Sequence, residues 1–177
     1  TWRRDGVARQ HVVPMKIAEG AKVYTPDDLM DGAVPGGNAV IFDDDHYYMG
    51  GVLAELLRRE DYRVTLVTPA ALVSIHTKAS LEQKVIQKRL LELDVTIEAN
   101  TALGAIATDH VTLACVFTGR TRQLPSSSTL LVTARTPGDG LFHKLPELGR
   151  VDLFPTVRPN LHLLERPAER LAFHPRF

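Results

Sequence analysis

The chain has 177 residues, 44% of them hydrophobic, which is enough for one solid core with an appendage and excludes two large domains. Its 21 basic and 21 acidic side chains cancel, and no Lys/Arg block interleaves with aromatics, so the electrostatic footprint of a nucleic-acid or anionic-membrane binder is missing. No apolar run approaches the roughly 20 residues that span a bilayer, and "TWRRDGVARQ" has no apolar stretch behind its charges, so a soluble, cytoplasmic chain without a signal peptide or anchor is expected.

Residues 1–37 read as a connector with one short helix. In "TPDDLMDG", Thr25 is the N-cap, Pro26 takes the first helical position, Asp27 and Asp28 sit in the first turn and Gly32 is the stop. After the break "VPGGN", Ala39 to Phe42 reads as a buried strand. The segment "MGGVLAELLRRE" reads as a helix with Met49, Val52, Leu53, Leu56 and Leu57 on one stripe, and Tyr62 to Thr68 as the next strand. Strand, turn, helix and strand within about 30 residues make a βαβ unit with parallel strands.

A second helix is expected from Ser80, which forms a capping box with Gln83 and carries Leu81, Val85, Ile86, Leu90 and Leu93 at helical spacing. A strand at Val95 to Ala99 follows. Ala102 to Ala107, His110 to Phe117 and "RTRQLP" then suggest an antiparallel meander, and Ser128 to Arg135 returns as an apolar strand. The single cysteine, Cys115, lies in the apolar "VTLACVF" and reads as a buried, inert thiol. One cysteine rules out a disulfide framework and cannot by itself hold an iron–sulfur cluster. His76 and His110 have no partner at a metal-ligand spacing, so no metal site is expected. The pattern is α/β, a three-layer Rossmann-like domain over 38–145 with a β-meander insertion. Residues 146–177 hold five prolines without a period and read as an irregular tail.

The stretch "IFDDDHYYMGG" raises the functional question, because three carboxylates stand where an α/β protein usually offers bare N–H groups to an anion. A phospho-receiver would use such acids to hold Mg²⁺, but it needs an Asp and a Lys at later strand ends, where this chain has Glu98-Ala99 and Thr133-Ala134-Arg135. A haloacid-dehalogenase-type phosphatase would use Asp43 as nucleophile and Asp45 as general acid. Its pattern asks for Gly and Thr or Val afterwards, and His46 and Tyr47 stand there instead. The remaining reading is a dinucleotide turn: Gly50 keeps the role of the glycine that packs helix on strand, while Asp43, Asp44, Asp45, His46, Gly50 and Gly51 mark a degenerate site. Thr68 stands where the ribose-binding acid belongs. A carboxylate about 4 Å from a phosphate costs roughly 4 kcal/mol at an effective dielectric of ~20, against ~1 kcal/mol from the helix N-terminus. The turn is therefore expected to plug the cleft, with Tyr47 and Tyr48 packed and the acids solvated.

Six motifs in order, "WRRDGV", "YTPDDLM", "DDDHYYMGGVLAELL", "VTLVTPA.LVS", "LEQ..IQKRLLEL" and "LLVTAR", make residues 1–145 resemble the C-terminal region of the trimethylamine dehydrogenase family, which includes dimethylamine and histamine dehydrogenases and related NADH:flavin oxidoreductases. The resemblance implies a counterpart of the glutathione-reductase NADPH domain. The FMN barrel, the four-iron cluster and the nucleotide domain would lie in the remainder of the parent flavoprotein, which is the implied partner, together with a protein electron acceptor. No family catalytic residue maps onto this chain, which by this reading binds no cofactor itself. A functional NAD(P)-binding module and a receiver-like switch are the alternatives.

Overall fold

A computed structural model describes residues 1–140. Thr1–Pro137 form one compact unit, and the architecture is that of this unit. The expected tail at 146–177 and the domain boundary at 145 lie outside the described residues.

Nine strands and three α-helices follow in order: β1 (Lys16–Ile17), β2 (Val23–Tyr24), α1 (Pro26–Met30), β3 (Asn38–Asp43), α2 (Met49–Arg59), β4 (Arg63–Val67), a 3₁₀ turn (Ile75–Lys78), α3 (Gln83–Glu92), β5 (Thr96–Glu98), β6 (Thr101–Ile106), β7 (His110–Cys115), β8 (Thr121–Pro125) and β9 (Ser128–Val132). Five of the strands form an all-parallel sheet in the order β2-β9-β3-β4-β5. The other four form a second sheet, β1-β6-β7-β8, in which β6, β7 and β8 are the expected antiparallel meander and β1 joins in parallel. Residues 1–37, expected as a connector, thus contribute one short strand to each sheet.

Strand β3 shows why the parallel sheet lies inside. Its side chains alternate between two cores. Ala39 and Ile41 pack with Leu53, Ala54 and Leu57 of α2 and Leu90 of α3, whereas Val40 and Phe42 pack with Leu103, Val111 and Leu113 of the meander. Both faces being covered, the strand carries no polar alternation and reads as a continuous apolar run. Burial of each large side chain contributes about 1.5–3 kcal/mol.

Helix α1 begins as the sequence predicts. The Asp28 carboxylate accepts the N–H and the hydroxyl of Thr25 at 2.7 and 2.8 Å. The second and third helices depart from the expected pattern. In α2 the buried face is Gly50, Gly51, Leu53, Ala54 and Leu57, while Val52 and Leu56 are exposed. Helix α3 starts at Gln83 rather than Ser80. Leu81 has a left-handed backbone (φ 65°), which no α-helix can contain, and the Ser80 hydroxyl donates to the Thr77 carbonyl instead of capping. Leu81 and Val85 consequently face solvent.

Candidate functional site

The chain leaves β3 through α2 to reach β4 on one side and returns much later as β9 on the other. The C-terminal ends of β3 and β9 therefore flank a topological switch point, where open α/β sheets place their ligands. The residues standing there are Asp43, the last of β3, and the turn that follows it to the first residue of α2, Met49.

Asp43 is fully buried. Its Oδ1 accepts the N–H groups of Asp45 and His46 at 3.2 and 3.0 Å, so the strand-end carboxylate closes its own turn. Its Oδ2 has no hydrogen-bond partner and lies against Gly50. A Cβ at Gly50 would come within 2.6 Å of that oxygen and 2.7 Å of the carboxyl carbon. Gly50 has the helix-packing role expected of it, but the surface it meets is the Asp43 side chain. Burial pushes the Asp43 carboxyl up to about 6, against the pull of the His46 N–H.

Asp44 shows the opposite behaviour one residue later. Burial again opposes its charge, but His46 and the N–H groups of Gln10 and His11 outweigh that and hold its carboxyl below the usual range. Those two N–H groups donate to one oxygen, Oδ2, at 2.9 and 3.1 Å. The other oxygen lies 3.1 Å from His46 Nε2, out of line for a directed hydrogen bond, so the attraction is that of an ion pair when the ring is protonated. The Asp44 N–H donates to the Val132 carbonyl at 3.0 Å. His46 is itself buried and sits in the left-handed region (φ 66°), with Nδ1 3.4 Å from the Thr68 hydroxyl oxygen. Asp45 is nearly buried and faces Arg135 at 3.7 Å.

The expected division of labour in the turn is reversed. The acids are buried and the tyrosines are the exposed residues, Tyr47 at 43% and Tyr48 at 44%. The acids go in because three consecutive turn N–H groups, those of Asp44, Asp45 and His46, need acceptors, and Asp43 is the nearest for two of them. Tyr47 stacks outward between His76 and the Arg9 guanidinium, and the Tyr48 hydroxyl donates to Glu82 at the head of α3. Gly51 approaches Ile86 of α3 and Ser74. Ser74 is a residue the sequence did not single out; it is fully buried, left-handed and without a partner for its hydroxyl.

His76, distant in sequence, touches the His46 ring edge-on at 5.6 Å, but among the described residues no group of three or more His, Cys, Asp or Glu could hold a metal ion. Cys115 lies at the end of β7, half-buried rather than buried. Hydrogen bonding by the Thr118 hydroxyl, then by the N–H groups of Thr118 and Phe117, lowers its thiol pKa. The expectation of a buried thiol does not hold. Among the described residues no helix is long and apolar enough to cross a membrane.

Comparison with known proteins agrees with this architecture. The profile of the OYE-like second alpha/beta domain matches residues 24–131. The structure of histamine dehydrogenase from Rhizobium sp. 4-9 superimposes with a TM-score of 0.80 at 45% identity, over 84% of this chain and 23% of that one. The 6-hydroxypseudooxynicotine amine oxidase (HisD) from Pseudomonas geniculata N1 gives 0.79 at 33% identity, over 84% and 22%. The chain thus spans less than a quarter of the length of either relative. The flavoprotein disulfide reductase RclA from Escherichia coli, at 21% identity and a TM-score of 0.58, shares the fold. No curated protein matches the chain.

Proposed function

Because this chain belongs to the OYE-like second α/β domain family, we propose that it is a structural domain of an amine-oxidising iron–sulfur flavoprotein, built like the NADPH domain of glutathione reductase, with its dinucleotide turn converted into a self-satisfied plug. Two relatives, at 45% and 33% identity, are histamine dehydrogenase and 6-hydroxypseudooxynicotine amine oxidase, which supports oxidation of an amine by the whole protein. FMN and a four-iron cluster belong, in this reading, to the remainder of such a flavoprotein, which is the partner of this domain, and a protein acceptor takes up its electrons in the cytoplasm. The chain's own residues do not fit a cluster, since four thiolates are needed and the sequence contains one cysteine.

One observation carries the reading. A dinucleotide site offers the N–H groups of the strand-to-helix turn to a pyrophosphate. Here those of Asp44, Asp45 and His46 are already bonded inside the protein, and Asp44, its carboxyl held below the usual range, stands at the same strand end. A carboxylate about 4 Å from a phosphate costs roughly 4 kcal/mol, a weakening of about a thousandfold. Calorimetric titration with NAD⁺, NADPH and ADP is expected to show no saturable binding below about 1 mM. A micromolar dissociation constant for any of them would replace this reading with that of a working NAD(P) module.

A further inference from the structure

The switch-point crevice holds a polypeptide segment. Residues 1–7 run along the chain that leaves β9: Trp2 and Arg135 form an antiparallel bridge, the Arg3 N–H donates to Ala134, the Ala134 N–H to Val7, and the Thr133 hydroxyl to the Arg3 carbonyl. Residues 9–11 then cross to the end of β3. There the Gln10 and His11 N–H groups converge on Asp44 Oδ2, while the Arg9 guanidinium lies over the Tyr47 ring. Strands β9 and β3 are neighbours with Asp43 level with Val132, so the segment joins the two strand ends that define the crevice. Asp44 is fully buried and its carboxyl is held below the usual range, and its Oδ2 has as partners two successive backbone N–H groups. That is how a carboxylate recognises a peptide backbone, and such charge-assisted bonds are about twice as strong as neutral ones.

We propose that the crevice is a peptide-binding site occupied in cis: residues 2–11 are a strap seated where a nucleotide would lie, and Asp44 is the group that seats it. This rests on the degenerate-turn reading but is separable from it, because the strap has its own readout. Asp44 recognises N–H groups rather than side chains, so the contact requires a bend that turns two successive N–H groups the same way and is largely indifferent to which side chains stand at Gln10 and His11.

Amide hydrogen exchange on the full chain tests this. In the unmodified protein the Gln10 and His11 amides are expected to exchange about 10- to 100-fold more slowly than in an unstructured peptide, the factor set by a half-buried hydrogen bond to a charged acceptor. Asp44→Asn is expected to remove most of that protection and to open the Arg9–Gln10 bond to trypsin. His11→Pro deletes one donor without touching the acidic turn and is expected to speed exchange at Gln10, with the amides of Leu66 and Leu130 reporting that the core is intact in each variant. Unprotected Gln10 and His11 amides in the unmodified chain, or protection unchanged in both variants, would overturn the proposal. Neither result bears on whether NADPH binds, which calorimetry decides separately.

Discussion

Asp43 to His46 and Tyr47 to Tyr48 are consecutive in one turn, yet the four inner residues are buried and the two rings are 43% and 44% exposed. Ranking by polarity would place them the other way round. The inner half is decided by backbone bookkeeping: without an anionic ligand, the turn's N–H groups need an acceptor, and the strand-end carboxylate provides it at the cost of burying a group that resists ionising. The outer half has no such demand. Its rings find partners on the surface, in Arg9, His76 and Glu82, and stay there. A ligand-binding turn and a self-filled one can share a backbone and differ only in which groups saturate the N–H donors.

The strongest way to break this contrast is at Gly50. An alanine Cβ would sit 2.6 Å from Asp43 Oδ2, and Asp43 cannot retreat because its other oxygen is pinned by two N–H groups. Gly50→Ala is expected to destabilise by about 3 kcal/mol, the upper end of the range for overpacking, read as a lower urea midpoint. A loss below about 1 kcal/mol would show that the inner half is not tightly built.

Acid titration separates Asp43 from Asp44 almost as strongly. The native carboxyl of Asp43 is raised to about 6, so its contribution is full below the unfolded value near pH 4, declines as pH rises through 6 and is gone above it. The span is about 3 kcal/mol. The Asp44 carboxyl is lowered, so its contribution is present above pH 4 and is lost as pH falls through its native value. Asp43→Asn is expected to flatten the decline between about pH 4 and pH 6 while leaving the loss at lower pH in place. A denaturation series across that range that is identical in the two proteins would refute the assignment of the decline to Asp43.

Thr68→Val probes the wall of the inner half. It removes the hydroxyl that accepts the Ala70 N–H at 3.3 Å and meets His46 Nδ1 at 3.4 Å, leaving buried polar groups unpaired at about 1–2 kcal/mol. The smallest effect belongs to the outer half. Tyr48→Phe deletes an exposed bond to Glu82 and is expected to shift stability by less than about 0.5 kcal/mol. A larger change there than at Thr68 would mean that the rings, and not the acids, hold the turn.

The sequence by itself determined the elements whose causes are local. Thr25 and Asp28 placed α1 because a cap needs only residues three apart. The apolar run at Ala39–Phe42 announced β3, the apolar stretch expected over Ser128 to Arg135 announced β9, which ends at Val132, and short polar breaks announced the meander β6 to β8. Gly50 was legible because a helix that must approach a strand end closely needs a residue without a Cβ. The start of α3 was not, since Ser80 and Gln83 satisfy a capping pattern that the left-handed Leu81 overrides. Only the tertiary structure decided that Asp44 reads Gln10 and His11, because those contacts are made by backbone N–H groups, which leave no trace in side-chain identity. It also decided which half of the turn is buried: side-chain polarity sets what exposure costs, but the N–H donors awaiting an acceptor are counted only once β3, β9 and α2 have come together.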